Sequence, residues 1–180
     1  MAGASKRYRV FIPAAIALLL AVPAGLGASS KLAQQSPQPI YAAISLVKQG
    51  TLRRQRCGSY QVFTATYRGP SNSPDPRLGG IATYVGRVSL MRSGTTGVAS
   101  GTFTFRHNGR VRARATVSGV ITQRSVVNGL VNGTLIDPDA QFRANATLIY
   151  DDEFSFVVVR LGLESGANSG VAYPPVPKCS

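Results

Sequence analysis

Residues 99–122 read ASGTFTFRHNGRVRARATVSGVIT and carry the clearest structural signal in the chain. Apolar and polar side chains alternate on both sides of Asn108-Gly109, which is the pattern of half-buried antiparallel strands. Asn and Gly both tolerate the positive φ that the two central positions of a type I′ turn require. The sequence therefore predicts a hairpin of Ala99–Arg106 and Arg110–Thr122, joined at His107-Asn108-Gly109.

Similar alternation continues on both sides of this hairpin. It predicts further strands at Ser59–Arg68, Ile81–Met91, Val126–Ile136, Gln141–Tyr150 and Phe154–Leu163. The segment Gly69–Arg77 has three prolines and is predicted to be a loop, whereas Ile40–Val47 fits a short helix or a strand. No other segment has sustained helical periodicity. The fold class is therefore all-β, an antiparallel meander of seven to eight strands.

Glycines inside the predicted strands bear on how this meander closes. Those at positions 86, 119, 129 and 133 suit the bends and bulges that curl a sheet. We therefore favour a barrel over a sandwich, although a sandwich would have much the same composition.

The amino terminus resembles an export signal in its charge pattern. Lys6, Arg7 and Arg9 precede the uncharged, apolar run Val10–Ala28, and small residues follow it. We expect residues 1–28 to be a cleaved signal peptide, with an uncleaved membrane anchor as the alternative. The mature protein is then secreted or periplasmic. Residues 29–56 are predicted to be a partly flexible lead-in, and 57–180, or alternatively 38–180, a single β domain.

Export changes the interpretation of the two cysteines, Cys57 and Cys179. Thiols pair in oxidising compartments, so we predict a disulfide between them. This bridge would close a loop of more than a hundred residues and stabilise the fold by on the order of 4 kcal/mol. A reactive or metal-binding thiol is the competing interpretation.

Charge is distributed unevenly along the chain. Signal removal would lower the net charge from +13 to +10. Residues 48–124 contain 13 basic residues and one acid, whereas residues 137–164 contain six acids and two arginines. The molecule is therefore expected to be polarised in sequence, and polarisation in space is a hypothesis.

Four arginines of the predicted hairpin form the candidate binding site. Arg110, Arg112 and Arg114 alternate with small apolar residues and should project from one face, where Arg106 of the partner strand can join them. Guanidinium groups bind phosphate, sulfate and carboxylate bidentately. The predicted partners are an acidic polysaccharide, an anionic lipid or another polyanion, and no nucleic-acid motif accompanies the arginines. The alternative is a solvated face that keeps the protein soluble.

Catalytic chemistry has little support in this sequence. The single histidine, His107, falls at a tight turn, and the acidic pairs near 137 and 151 are typical of turn formers. We predict no catalytic residue, no metal site and no cofactor. Three functional classes remain: a secreted binding protein for a small or anionic partner, a structural or envelope-associated protein without a discrete ligand, and an extracellular enzyme.

Overall fold

The computed structural model describes residues 38–92, 94, 96–123, 125–162 and 176. Their secondary structure is a set of β-strands. The strands are β1 (Gln38–Pro39), β2 (Ala42–Cys57), β3 (Tyr60–Asn72), β4 (Gly80–Met91), β5 (Gly97–His107), β6 (Arg110–Gln123), β7 (Val126–Leu135), β8 (Ala140–Tyr150) and β9 (Phe156–Gly162).

Strands β2 to β9 form one antiparallel meander that closes into a ring. Each strand pairs with the next in sequence from β2 to β8, and β9 pairs with both β8 and β2. Strand β1 adds a two-residue parallel pairing to β8. Each of the eight meander strands is paired on both sides over at least part of its length, and β2 pairs with β9 only over Ala42–Val47. The predicted all-β fold class is confirmed.

The hairpin predicted from Asn108-Gly109 is confirmed in detail. His107 pairs with Arg110, and the two turn residues have φ of 49° and 75°. Positive φ at both central positions is the requirement of a type I′ turn. The other predicted strands are also present, with ends within a few residues of their expected positions.

Two segments are compared with the sequence-based prediction: the loop predicted from Gly69, and Ile40–Val47, which fitted a helix or a strand. Strand β3 continues through Pro70 to Asn72, so the predicted loop begins later than expected. Pro70 pairs with Ile81 of β4, and the pairing to β2 is interrupted beside it, which accommodates a residue without an N–H group. Residues 42–57 form a 16-residue strand that pairs with β3 along most of its length and with β9 over Ala42–Val47. The sheet therefore begins upstream of Cys57, with β1 at Gln38, which agrees with the alternative start of the β domain at residue 38.

The inward-facing side chains of the ring form one hydrophobic core. In β3 the buried inward positions include Phe63, Ala65 and Tyr67, at alternate residues of the strand. The largest fully buried side chains are Tyr67, Tyr84, Phe103, Phe105, Phe142, Ile44, Leu46, Leu78, Leu135, Leu148, Val127 and Val131. Aromatic and branched aliphatic side chains thus fill the described interior.

Glycines on the inner face make room for these large rings. Gly86 and Gly101 lie opposite each other, and a Cβ on either would overlap the ring of Tyr84. A Cβ on Gly133 would overlap the ring of Phe142 in the same way. The strand glycines that favoured a curled sheet therefore also provide space for the core.

The connections between strands divide the ring into two ends, each named here after an apolar residue in it. The Leu78 end contains the β3–β4, β5–β6 and β7–β8 connections, and Leu78 is fully buried in the core. The Phe154 end contains the β2–β3, β4–β5, β6–β7 and β8–β9 connections. Phe154 packs against the core there and stacks on Phe63, with ring centroids 4.7 Å apart.

Several sequence predictions fall beyond these ranges. The expected signal peptide, residues 1–28, and Cys179 lie outside the described residues. Cys57 at the end of β2 is not a free thiol, but its pairing with Cys179 stays a prediction. Within the described ranges, no helix has the length and apolar character needed to cross a membrane.

Candidate functional site

A β-bulge interrupts the predicted row of arginines. Phe105 of β5 lies opposite Ala113 of β6, and both are buried on the inner face. The next residue of β5, Arg106, lies opposite Val111, so Arg112 is an extra residue in β6. Such an insertion shifts the alternation of side chains by one position.

The bulge separates Arg110 from Arg112 and Arg114. Arg110 lies opposite His107. His107 is an even number of residues from the buried positions of β5, so its side chain is on the same, inward side of the strand. Directly opposed residues lie on the same face, so Arg110 is on the inward side at the rim of the ring. Arg114 faces outward between buried alanines. The prediction that three arginines share one face is therefore wrong at Arg110.

Two of the four predicted arginines already have local partners. Arg112 forms an ion pair with Asp137, with Nη1 3.0 Å from Oδ2. Arg106 donates from Nη1 to the carbonyl oxygen of Gly109 at 3.3 Å. Arg112 and Asp137 are a surface pair between β6 and the β7–β8 connection, and such exposed pairs contribute little free energy.

Arg114 differs from these arginines because it lines an open depression of about 360 Å³ on the outer face of β5–β8. It lies opposite Thr104 on one neighbouring strand and Thr134 on the other. The outward-facing lining residues are Thr102, Thr104, Arg114, Thr116, Asn132, Thr134 and Gln141. Hydroxyl and amide groups therefore surround one guanidinium, and no carboxylate is among the residues that line the depression.

The hydroxyls and amides of this depression are partly ordered by one another. Gln141 donates from Nε2 to Thr134 Oγ1 at 3.1 Å, and Thr116 Oγ1 donates to the carbonyl of Asn132 at 3.4 Å. Arg114 has no hydrogen-bond or ion-pair partner within the described ranges. The sequence analysis missed these neighbours, although threonines at alternate positions beside Phe103 were a visible signal.

Ring closure changes the expected charge distribution. The acidic β8–β9 turn lies beside β2, because β9 pairs with both strands. Glu153 of this turn lines an open depression together with Lys48 and Arg54. The acidic and basic parts of the sequence therefore meet in space at this end of the ring.

Three buried tyrosines provide the polar groups of the interior. The hydroxyls of Tyr84 and Tyr150 are 3.1 Å apart, and Tyr67 donates to the carbonyl oxygen of Phe154 at 3.1 Å. Burial raises the pKa of Tyr84 to about 12, and burial also raises the pKa values of Tyr67 and Tyr150. These phenols remain protonated at neutral pH and act as hydrogen-bonding core residues.

The residues considered for catalysis are not assembled into a site. His107 is exposed beside the Asn108-Gly109 turn. The carboxylate of Asp151 accepts backbone N–H groups from Ser155 and Phe156, at 2.6 and 2.9 Å, which confirms a turn-forming role. Across the described ranges, no carboxylate is buried and no group of three metal-ligating side chains occurs.

Comparisons with models of protein families, with curated proteins and with solved structures found no match to this chain.

Proposed function

We propose that this protein is an extracytoplasmic, non-enzymatic binding protein whose outer depression around Arg114 holds an acidic polysaccharide. The observation that carries the proposal is the setting of Arg114: a guanidinium without a carboxylate beside it, surrounded by threonine hydroxyls and two side-chain amides. Arginine binds a carboxylate or sulfate bidentately, and hydroxyls and amides exchange hydrogen bonds with sugar hydroxyls. The open shape suits a chain that runs across the surface.

The filled interior supports an exterior site over an interior one. Small-ligand pockets in closed sheets need space that side chains leave free. Here the large aromatic side chains occupy inward positions, and Tyr84 satisfies its hydroxyl with Tyr150. Among the partners considered, an acidic polysaccharide fits the mixture of hydroxyl, amide and guanidinium groups better than a lipid surface or a nucleic acid.

The test compares Arg114→Gln with Arg110→Gln, which removes the same charge from the same strand on the other side. We expect the Arg114 variant to bind an acidic polysaccharide about tenfold more weakly, since a charge-assisted contact contributes roughly 1.5 kcal/mol. The Arg110 variant should bind like the wild type. Titrations at two salt concentrations, with anionic vesicles and an oligonucleotide as further probes, measure this difference.

Two results would contradict the proposal: no binding by the wild type, or an equal loss in both variants. An equal loss would indicate that net charge alone attracts the polymer. Tighter binding to vesicles or to the oligonucleotide than to the polysaccharide would contradict the choice of partner.

A structural role without a discrete ligand is the second candidate. The filled core and the closure of eight strands into a ring favour it, since both features serve stability. Absence of saturable binding to every probe would support this role.

Export and the disulfide are part of the proposal. The charged residues before Val10–Ala28 support signal cleavage, and an oxidising compartment would favour the bridge between Cys57 and Cys179. Intact-mass measurement of exported material should show a first residue between 28 and 31. Recovery of the full chain in the membrane fraction would contradict cleavage.

A further inference from the structure

The ring has an opening at its Phe154 end, called the mouth here, where the regular pairing of β2 with β3 is interrupted. Gln49 pairs with Thr66 and Arg53 pairs with Thr64, so the intervening segment of β2 has two more residues than its partner. Gly50 has φ of 71°, a value that glycine adopts without strain. This irregularity and the β8–β9 turn border an open depression of about 460 Å³.

Two cations converge on this mouth from inward-facing positions of β2. Lys48 lies opposite the buried Tyr67, and its Nζ is 3.5 Å from the hydroxyl of Ser155. Arg54 lies opposite Phe63, with its guanidinium carbon 5.7 Å from the ring centroid. Both side chains line the depression.

The packing orients the guanidinium of Arg54. A cation above an aromatic ring is attracted to the face of the ring, while the N–H groups at the edge of the guanidinium stay available for hydrogen bonds. The ring of Phe63 is itself supported by Phe154, which stacks on it in the same end of the core. Arg54 is therefore preorganised beside the mouth, which lowers the entropic cost of binding an anion.

Three carboxylates, Asp151, Asp152 and Glu153, lie in the β8–β9 turn that borders the depression. Asp151 uses one carboxylate oxygen to accept the N–H groups of Ser155 and Phe156. Glu153 also lines the depression. Among the residues that line the depression, two are cations, Lys48 and Arg54, and one is a carboxylate, Glu153, with the hydroxyls of Thr51 and Ser155 beside them.

We propose that this mouth is a second binding site, specific for a tetrahedral oxyanion group, that is, a phosphate or sulfate. Arg54 would donate two parallel hydrogen bonds to it, Lys48 would supply a point charge, and the hydroxyls of Thr51 and Ser155 would complete the donors. The site is independent of the depression around Arg114. Arg54 belongs to the basic segment Arg53-Arg54-Gln-Arg56 near the end of β2.

The experiment titrates the full mature protein with inorganic phosphate and with inorganic sulfate, followed by amide chemical shifts. We expect saturable shifts at Thr51 and Ser155, and affinity about tenfold weaker in Lys48→Gln and in Arg54→Gln. Arg54→Lys keeps the charge but loses the planar donor pair, so its affinity should be intermediate. Unchanged amide spectra away from the mouth will show that each variant is folded.

Arg53→Gln is the matched control, because Arg53 is adjacent to Arg54 but lies opposite Thr64 on the outer face. Its phosphate affinity should equal that of the wild type. Non-saturable shifts, or an equal loss in the Arg53 and Arg54 variants, would overturn the proposal.

Two further measurements identify the form of the bound oxyanion and separate this site from the one around Arg114. Glycerol phosphate tests whether the oxyanion is bound free or as an ester: equal affinity indicates the free ion, and tighter binding indicates an ester of a larger molecule. Arg114→Gln should leave phosphate binding unchanged, so this site and the proposed polysaccharide site can fail separately.

Discussion

The hydroxyl of Tyr84 on β4 lies 3.1 Å from the hydroxyl of Tyr150 on β8, and both side chains are buried in the ring. This hydrogen bond joins strands that are not neighbours in the sheet. It satisfies two phenols that would otherwise be buried without partners, a state that costs about 1–3 kcal/mol for each group.

Tyr150→Phe should therefore destabilise the fold by about 1–2 kcal/mol at pH 7, since Tyr84 loses its partner. The double variant with Tyr84→Phe should recover much of this loss, because no unpaired hydroxyl is left. Urea unfolding of the wild type, both single variants and the double variant measures the coupling. Strictly additive losses would show that the two hydroxyls do not interact.

Because of the same buried tyrosines, we expect the free energy of unfolding to fall at alkaline pH. Burial raises the pKa of Tyr84 to about 12, above the value near 10 of the unfolded chain. The protonated phenol is favoured in the fold, so its contribution is complete below pH 10 and declines as the pH rises towards 12. For Tyr84 the loss is on the order of 2 kcal/mol at pH 12. Unfolding curves between pH 8 and 12 should show a smaller decline in the double variant than in the wild type.

Gly101→Ala should be among the most damaging small substitutions in the chain. The added Cβ would overlap the ring of Tyr84 and lie 2.6 Å from the carbonyl oxygen of Val85, and the latter is backbone that cannot move aside easily. We expect a loss of roughly 3 kcal/mol. Gly162→Ala is the control, since nothing lies within 4 Å of its added Cβ. Comparable thermal melts for the two variants would contradict the packing argument.

Because Asp75 and Arg77 form an ion pair, we expect the free energy of unfolding to fall in acid. Arg77 donates to both carboxylate oxygens of Asp75, at 3.0 and 2.8 Å, and also to the carbonyl of Pro138 at 3.0 Å. The side-chain hydrogen bonds from Arg77 lower the pKa of Asp75. Their stabilisation is therefore present above the unfolded pKa of about 3.9 and is lost as the pH falls through the lower folded value.

Asp75→Asn should cost roughly 1 kcal/mol at pH 7 and make stability less dependent on pH between 4 and 2. Asp139→Asn, at an exposed position of the β7–β8 connection, is the control and should have little effect. Denaturant melts across this pH range test both variants. An identical acid dependence of wild type and Asp75→Asn would exclude the pair as a source of stability.

The disulfide prediction concerns Cys57, at the end of β2, and Cys179. Cys57→Ser should lower the free energy of unfolding by up to about 4 kcal/mol, because the bridge restricts a long loop of the unfolded chain. Cys179→Ser and the double variant should lose the same amount, since all three remove one bond. Peptide mapping without reduction should recover the two cysteines linked, and alkylation of both thiols in native protein would refute the bridge.

The sequence alone was sufficient for the fold class and for most strand positions. Alternation is a local property: Phe63, Ala65 and Tyr67 face inward because successive strand residues point to opposite faces. The Asn108-Gly109 turn is equally local, since its φ values depend on two residues that tolerate them. Ile40–Val47 stayed ambiguous because its strand depends on pairing with β3 and β9, which are distant in sequence.

Only the tertiary structure decided which charged side chains come together. The bulge at Arg112 moved Arg110 away from Arg114, and alternation cannot reveal an inserted residue, because the pairing register depends on both strands. Closure of the ring brought Glu153 beside Lys48, although about a hundred residues separate them. Side-chain direction follows from local backbone geometry and can be predicted from the sequence. Neighbours across a closed sheet depend on register and closure, which the chain sets only when the whole core packs.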